Sequence, residues 1–187
     1  MNRLTKKERR LQILEAAQKV FIQNGYNGST TLEIAKAANI SEVTLFRYFS
    51  SKQEVFLEVI EPVLLQSLKE TIALSKTLTP EEKLESVLIE RIQFVSKNNQ
   101  ILALILKEKT LILELGKDDL LNQFWLLFKD LLLELDFPIE SLDFNVRLLM
   151  GSFLSFLFRP EFEANNIRVY VKKIVSQMMN NLRKGEN

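Results

Sequence analysis

The sequence predicts an all-α fold, and three observations support this prediction. Helical periodicity runs nearly from one end of the 187 residues to the other. No stretch alternates apolar and polar residues as a half-buried strand does, and only 5 Gly and 4 Pro interrupt the pattern. Hydrophobic residues make up 47% of the chain. A chain of this size can therefore form a sizeable core without a disulfide or a metal.

Helix starts are marked by a Ser or Thr that is followed three residues later by Glu. In such a capping box the hydroxyl accepts a hydrogen bond from the backbone N–H of the Glu, and the carboxylate accepts one from the N–H of the capping residue. Thr79 is also followed by a proline, which suits the first turn of a helix. We expect helices to begin at these groups: Thr5 with Glu8, Thr30 with Glu33, Ser51 with Glu54, and Thr79 with Pro80 and Glu82.

Helix ends are marked by Gly, Asn and Pro. Gly25 is expected to end the first helix and Asn39 the second, because both residues adopt the left-handed conformation readily. Pro62 lies inside a long helix that follows Ser51, and its ring and missing N–H should kink or split that helix, either as a moving hinge or as a static kink. Further helices are predicted at about 101–115, 118–134, 141–158 and 163–183, with breaks at Gly116 and at Asp136-Phe137-Pro138.

Residues 30–52 are the most informative stretch of the chain. They predict two short helices joined by a tight turn at Asn39, with Ser41 capping a second helix that runs to Phe49. Leu45 and Phe49 lie four residues apart and therefore share an inward face. The outward side chains are mainly polar or aromatic, as in a helix-turn-helix reader of DNA: Glu42, Val43, Thr44, Phe46, Arg47 and Tyr48.

Charge is distributed unevenly along the chain. Residues 1–52 hold nine Lys or Arg against four Glu, a balance of +5, and the remainder holds sixteen against twenty, a balance of −4. A basic first third joined to an acidic remainder suits a domain that binds a polyanion next to one that does not. For Arg3, Lys6 and Lys7 the alternative of a merely solvated tail remains open.

These residues resemble the DNA-binding domain of the TetR family of bacterial transcriptional regulators. The resemblance covers roughly the first third of the chain and ends at Lys52. Asn39 stands where the family usually has Gly, and Phe46 stands where Tyr is more frequent, so a hydroxyl that typically reaches a phosphate is missing. The joint spacing upstream falls as in the family's first helix: Ile13, Leu14, Ala16, Ala17, Phe21, Gly25 and Tyr26.

The resemblance implies a ligand-responsive transcriptional regulator, a repressor that binds a palindromic operator in double-stranded DNA as a homodimer. It implies a helix-turn-helix DNA-binding domain at 1–52 and a larger helical domain for effector binding and dimerisation at 53–187. It also carries over the roles of individual side chains. Those expected to face bases are Glu42, Val43 and Arg47, those expected to hold phosphates are Thr31, Thr44, Tyr48 and Lys52, and Phe46 is expected to pack on the sugar-phosphate chain.

The helices after residue 101 are unusually rich in large apolar side chains. Two outcomes are physically available, a plain core with a subunit interface or a core hollowed into a pocket for an apolar ligand. The resemblance favours a small effector of mostly apolar character, because the family typically binds its effectors in this region. The candidate ligand-binding residues are Phe94, Phe124, Trp125, Phe128 and Phe153, with Arg147 as a polar anchor.

The last two helices each carry an apolar stripe at helical spacing. The resemblance favours a four-helix bundle formed by two subunits across these stripes, and the competing interpretation is that both stripes close the core of a single subunit. One stripe comprises Leu142, Val146, Leu149, Phe153 and Phe156, and the other comprises Ile167, Val171, Ile174, Met178 and Leu182.

The composition argues against several other classes of protein. With no Cys and no His, the chain lacks the usual ligands of zinc, thiol nucleophiles and the common neutral-pH base, so we expect neither an enzyme nor a bound cofactor. An adjacent pair of carboxylates, Asp118 and Asp119, is better explained by the dipole of a helix start. No apolar run approaches the roughly 20 residues of a membrane span, and we expect a cytoplasmic protein. The main alternative is a helical protein-interaction module that does not read DNA.

Overall fold

The computed structural model describes residues 4–75, 77–115 and 118–184, and in these residues every regular element is a helix, which confirms the predicted all-α fold. Arg3, Gly116 and the side chains of Asp118 and Asp119 lie outside what the structure describes. In chain order the α-helices are α1 (Lys6–Asn24), α2 (Thr31–Ala37), α3 (Glu42–Phe46), α4 (Lys52–Glu61), α5 (Ser67–Leu74), α6 (Pro80–Lys97), α7 (Asn99–Lys107), α8 (Lys109–Glu114), α9 (Asp118–Glu134), α10 (Leu142–Leu154) and α11 (Ala164–Lys184).

The predicted caps open their helices, with one correction. Thr5, Thr30 and Thr79 each form a complete capping box with the Glu three residues later. Ser51 forms only half of one. Its hydroxyl accepts from the Glu54 N–H at 3.2 Å, but the Glu54 carboxylate turns to the preceding residue and accepts from both the N–H and the hydroxyl of Ser50, at 2.6 and 2.7 Å. Two donors converging on one carboxylate oxygen explain why the predicted reciprocal bond is absent.

The predicted stops are confirmed at three turns. Gly25, Asn39 and Asp136 have φ angles of 71°, 52° and 62°, the left-handed region that ends a helix. The helix predicted to run from Ser41 to Phe49 is shorter than expected, because α3 ends at Phe46 and the next N–H groups form tighter bonds to carbonyls three residues back.

Two later helices also end earlier than the sequence predicted. The stretch predicted as one helix at 101–115 is broken at Glu108 into α7 and α8. The helix predicted at 141–158 leaves the α conformation after Leu154 and continues as a 3-10 turn at Ser155–Leu157. Periodicity extended across these breaks, so it could not locate them.

Pro62 splits the long helix that follows Ser51, as predicted. The chain leaves the α conformation after Glu61, forms a π turn at Pro62–Gln66 and returns to it in α5. Proline has no N–H to donate to the turn before it, and a widened turn is one way in which a helix accommodates the loss. Whether this point moves stays a prediction.

The described residues divide into two compact units. Unit 1 joins the residues up to 63 with 103–115, and unit 2 joins 64–102 with those from 119 onward. In unit 1, α1 packs against α2 and α4, and α2 packs against α3. Their buried faces include Ile13, Ala17, Phe21, Ile34, Leu45, Phe49 and Phe56. The sequence predicted a boundary between two functional domains after Lys52. That division of function stays a prediction.

In unit 2, α6 is the central helix and packs against α5, α10 and α11. Burying each large aliphatic or aromatic side chain stabilises such a core by about 1.5–3 kcal/mol relative to leaving it exposed. The two stripes that we predicted as a dimer interface belong to this core. Their members are buried in, or packed against, the core of the single chain: Leu142, Val146, Leu149, Phe153, Phe156, Ile167, Val171, Ile174, Met178 and Leu182.

The stripe prediction is therefore wrong for the seven of these residues that are buried in the core of one chain, and for the half-buried Phe156, Ile174 and Leu182 it stays a prediction. An amphipathic helix of a globular unit must bury one face within its own subunit before it can offer another face to a partner. Any homodimer built on α10 and α11 must use their outer faces.

Candidate nucleic-acid interface

The local sequence positions the reading segment, which we define as residues 41–50. The Ser41 hydroxyl caps α3 by accepting from the Thr44 N–H at 3.1 Å. Leu45 and Phe49 are fully buried, as predicted, and anchor the segment to unit 1. The opposite side is open to solvent, where Val43 is 75% exposed and Phe46 is 49% exposed.

The other predicted contacts lie at or near this open face. Arg47 is exposed, whereas Glu42, Thr44 and Tyr48 are half-buried. The turn that leads into the segment is held from α1, because the Gln12 side chain donates to the carbonyl of Ala38 at 2.8 Å. The structure thus brings seven of the eight predicted DNA-binding residues to one region around α3, and Lys52 lies at the start of α4.

Two of the predicted contacts are bonded to each other. The Thr31 hydroxyl donates to Glu42 Oε1 at 2.6 Å, which ties the first turn of α2 to the first turn of α3. A carboxylate accepts several hydrogen bonds, so this contact leaves Glu42 with acceptor capacity for a cytosine amine.

Lys52 has an additional structural role that the sequence did not indicate. Its ammonium donates to the carbonyls of Tyr26 and Ser29, each at 2.8 Å, and lies 4.2 Å from the centre of the Tyr26 ring. An ammonium has three donors, and two of them are engaged in the turn after α1. Burial raises the pKa of Tyr26, with a further contribution from the charge of Glu108, whose carboxylate accepts from the Tyr26 N–H. The predicted phosphate contact of Lys52 stays a prediction, with one donor left for it.

A second cation of unit 1, Arg10, was missed altogether. From α1 it contacts the carbonyl of Tyr48, the ring of Phe49 and the carboxylates of Glu54 and Glu58. The sequence did hold a signal for it. Arg10 precedes Ile13 and Ala17 by three and seven residues, so it lies on the inward stripe of α1, where a charge needs partners.

The six predicted ligand-binding residues take part in three separate sets of contacts. Phe124, Phe128 and Phe153 pack together in the core of unit 2, with ring centres 5.3, 5.4 and 6.4 Å apart. Trp125 and Arg147 form a separate cation-π pair at 5.2 Å, and Phe94 pairs with Arg91 at 4.6 Å. A role of these residues in ligand binding stays a prediction.

An open groove of about 460 Å³ lies elsewhere in unit 2, between α5 and α6. It is lined by Thr71, Leu74, Ser75, Leu78, Glu82, Glu85, Ser86, Ile89, Glu90 and Gln93. None of the six predicted ligand-binding residues is among them.

Arg91 is a buried cation beside the core of unit 2. Its guanidinium donates to the Glu90 carboxylate and to the Ser67 hydroxyl. Burial lowers the pKa of Arg91, and the charge of Glu90 opposes that effect. Arginine nevertheless stays protonated in proteins, so Glu90 is required to balance a permanent charge.

Comparisons with known proteins place both units in context. The model of the bacterial regulatory proteins of the tetR family matches residues 13–59. The chain is 45% identical over 60 residues to the transcriptional activator FasR of Mycolicibacterium smegmatis, a match that covers 32% of this chain and 27% of FasR. None of the helices in the described part of the chain is long and apolar enough to cross a lipid bilayer.

Solved structures extend the likeness to nearly the whole chain. A candidate fatty acid metabolism regulator of Clostridium perfringens is 26% identical, with a TM-score of 0.73 over 88% of this chain and 96% of that one. The regulator FadR of Bacillus subtilis, solved in complex with stearoyl-CoA, is 19% identical and has a TM-score of 0.69 over 88% of this chain and 96% of that one. Residues 13–59 therefore match the tetR family of bacterial regulatory proteins, and the helical fold of the solved regulators extends over most of the chain.

Proposed function

We propose that this protein is a transcriptional repressor that reads a palindromic operator as a homodimer. The observation that carries the proposal is the reading segment, which buries Leu45 and Phe49 and exposes Val43, Phe46 and Arg47. A short helix anchored on one side and open on the other is the arrangement that places side chains against base edges in the major groove.

The exposed side chains have chemistry that suits base reading. Arg47 can donate to the two acceptors of guanine, Glu42 can accept from the amine of cytosine, and Val43 can pack on the methyl group of thymine. Thr44 and Tyr48 flank them with hydroxyls that suit phosphate oxygens.

We place the second subunit on the outer faces of α10 and α11. Phe144, Phe158 and Val169 are exposed apolar residues in this region. Gly151 supports the same assignment, because in the described part of the chain no atom from outside its own stretch of helix lies within 4 Å of where a β-carbon would stand, which leaves room for a partner helix. Two readers related by a two-fold axis bind half-sites one helical turn of DNA apart.

The proposal includes an effector that binds unit 2 and releases the DNA. A ligand shifts a conformational equilibrium only by its difference in affinity between the two states. The stearoyl-CoA bound to the Bacillus subtilis neighbour and the ring-rich core of unit 2 together favour an acyl-CoA or another long apolar molecule as the first probe.

Selection of duplexes from a random pool by the purified full-length protein tests DNA reading and symmetry together. Recovery of a palindrome is the expected result. Enrichment of no sequence, together with binding that does not change with salt, would favour the alternative of a helical protein-interaction module, since contacts to phosphates make binding strongly salt-dependent.

Two variants test separate parts of the proposal. Lys52→Ala should weaken binding to all duplexes alike and lower the salt slope by about one unit, while the exposed Lys97→Ala in unit 2 should not. Gly151→Arg should produce monomers in sedimentation experiments, because a long charged side chain would enter the proposed interface.

Fluorescence of Trp125, the one Trp of the chain, tests effector binding. Titration with stearoyl-CoA should change its emission and release a bound operator duplex. Coenzyme A without the acyl chain is the control. Equal effects of the two compounds, or none from either, would contradict an apolar effector of this kind.

A further inference from the structure

The exit from the reading segment is held by an ionic cluster that we call the Arg10 clamp, formed by Arg10, Glu54 and Glu58 together with the backbone of residues 48–50. Arg10 Nε donates to Glu58 Oε2 at 3.0 Å, and Nη2 bonds the other oxygen of the same carboxylate. Arg10 Nη1 donates to the carbonyl of Tyr48 at 2.6 Å. One side chain of α1 therefore joins the reading segment to α4.

The clamp has two further contacts on the same short stretch of backbone. The Arg10 guanidinium lies 4.2 Å from the centre of the Phe49 ring, which is buried beneath it. Glu54 accepts from the N–H and the hydroxyl of Ser50 and lies 3.6 Å from Arg10 Nη2. Residues 48, 49 and 50 are thus each contacted by the clamp.

The position of these contacts matters because the reading helix is short. The α-helix ends at Phe46, so Arg47 and Tyr48 lie in a turn outside it. A turn is held by fewer backbone bonds than a helix, and side chains placed on it need support from elsewhere. The clamp supplies that support at residues 48–50, which include Tyr48 and directly follow Arg47.

We propose that Arg10 is a positioning residue for DNA recognition, which fixes the turn carrying Arg47 and Tyr48 and does not itself contact the DNA. The inference rests on the proposed DNA-reading function. Guanidinium geometry is required, because only Arg can donate to both oxygens of a carboxylate and to a carbonyl from one planar group.

A rival role for Arg10 is a direct contact with a phosphate, since its side chain is 34% exposed. The two roles differ in their salt dependence. Loss of a phosphate contact lowers the slope of log affinity against log salt by about one unit, whereas loss of a positioning residue leaves the slope unchanged. They also differ in specificity, because a displaced reader loses affinity for its operator and not for a random duplex.

The first experiment compares Arg10→Lys with wild type in the full-length protein. Binding is measured to the duplex recovered by selection and to a random duplex of equal length, over a range of salt concentrations. Lysine keeps the charge but cannot donate to both carboxylate oxygens and the carbonyl at once. Operator affinity should therefore fall about tenfold, while random-duplex affinity and the salt slopes for both duplexes stay unchanged. Arg9→Lys is the matched control, since the Arg9 side chain bonds Gln12 on its own helix, and it should bind like wild type.

The second experiment uses Glu58→Gln, for which simple electrostatics and the clamp predict opposite results. Removing a negative charge near DNA should leave binding unchanged or tighten it if only charge matters. Loss of the clamp should instead weaken operator binding several-fold. Glu61→Gln, at the exposed end of α4, is the control and should not weaken binding. Thermal unfolding followed by circular dichroism verifies that each variant is folded.

The proposal is overturned if Arg10→Lys keeps full operator affinity, if Arg10→Gln lowers the salt slope by about one unit, or if Glu58→Gln binds as tightly as wild type. Failure of the proposed function is distinguishable from these outcomes, because wild type itself would then select no duplex.

Discussion

Different kinds of contact hold the helices together within unit 1 and within unit 2. In unit 1, polar side chains reach between helices, as Arg10 does from α1 to α4 and Lys52 does from α4 to the turn after α1. In unit 2, the contacts between helices are mainly apolar and include stacked rings such as Phe128 and Phe153. The difference teaches that a recognition surface is fixed by directional bonds, whereas a larger helical body is stabilised mainly by area buried from water.

The largest effect expected is from Phe128→Ala, which tests the apolar side of the comparison. Phe128 is fully buried between Phe124 and Phe153, so truncation should lower the free energy of unfolding by about 3–5 kcal/mol. Urea titration followed by circular dichroism measures the change. Leu74→Ala, at a side chain that is 85% exposed, should change the stability by no more than about 0.5 kcal/mol. A loss below about 1 kcal/mol at Phe128 would mean that its ring lines open space and not a packed core.

A smaller effect is expected at Arg91, a buried cation of unit 2. Glu90→Gln leaves the charge of Arg91 without its counterion and should cost about 1–3 kcal/mol, because Glu90 is itself partly exposed. Arg91→Met removes the charge together with its desolvation cost and should be less destabilising than Glu90→Gln. The same urea titrations decide the order, and the reverse order would mean that the ion pair is a net source of stability.

The helix caps of unit 1 should contribute less to the free energy of unfolding than the pair formed by Arg91 and Glu90. Thr30→Ala removes the hydroxyl that accepts from the Glu33 N–H and should cost about 1 kcal/mol. Thr30→Ser keeps the hydroxyl and should cost less than half of that. If both variants lose the same stability, the methyl group of Thr30 and not its hydrogen bond is responsible.

The smallest effect expected is a dependence of stability on pH at Glu54. The backbone N–H of Ser50, then its hydroxyl, and then the charge of Arg10 lower the pKa of Glu54 below 4.5. A lowered folded-state pKa means that the contribution to stability is present above the unfolded value and is lost as the pH falls through the folded value. Stability should therefore decline as the pH falls below the usual range of a glutamate carboxyl, and Glu54→Gln should flatten that part of the curve. Ser50→Ala, which keeps the N–H, should flatten it only in part. An unchanged curve for Glu54→Gln would place the acid-sensitive groups elsewhere.

The sequence predicted what depends on neighbouring residues and missed what depends on distant ones. Thr5, Thr30 and Thr79 act within three residues of themselves, and Gly25 and Asn39 act on their own backbone, so their effects could be read from the chain directly. Leu45 and Phe49 were placed inward correctly because helical spacing fixes their common face.

Two of the misses are contacts between residues far apart in the sequence, and a third is a choice between two near neighbours. Periodicity identified the stripe containing Leu142 and Val146 but could not say which surface covers it, since the core of one subunit and the surface of a second are chemically alike. The Arg10 clamp spans up to 48 residues and depends on how three helices cross. The carboxylate of Glu54 could accept from Ser50 or from Ser51. Its bond to Ser50 depends on the turn that follows α3.

The π turn at Pro62–Gln66 contains one residue more than a regular helical path requires. The spacing of the buried residues shows the additional residue. Val55, Phe56, Val59 and Ile60 follow the usual spacing, and the buried Leu65 comes five places after Ile60. Deleting Pro62 would restore a spacing of four between these two buried residues and would also remove the residue that has no N–H to donate, so the chain could continue as one α-helix.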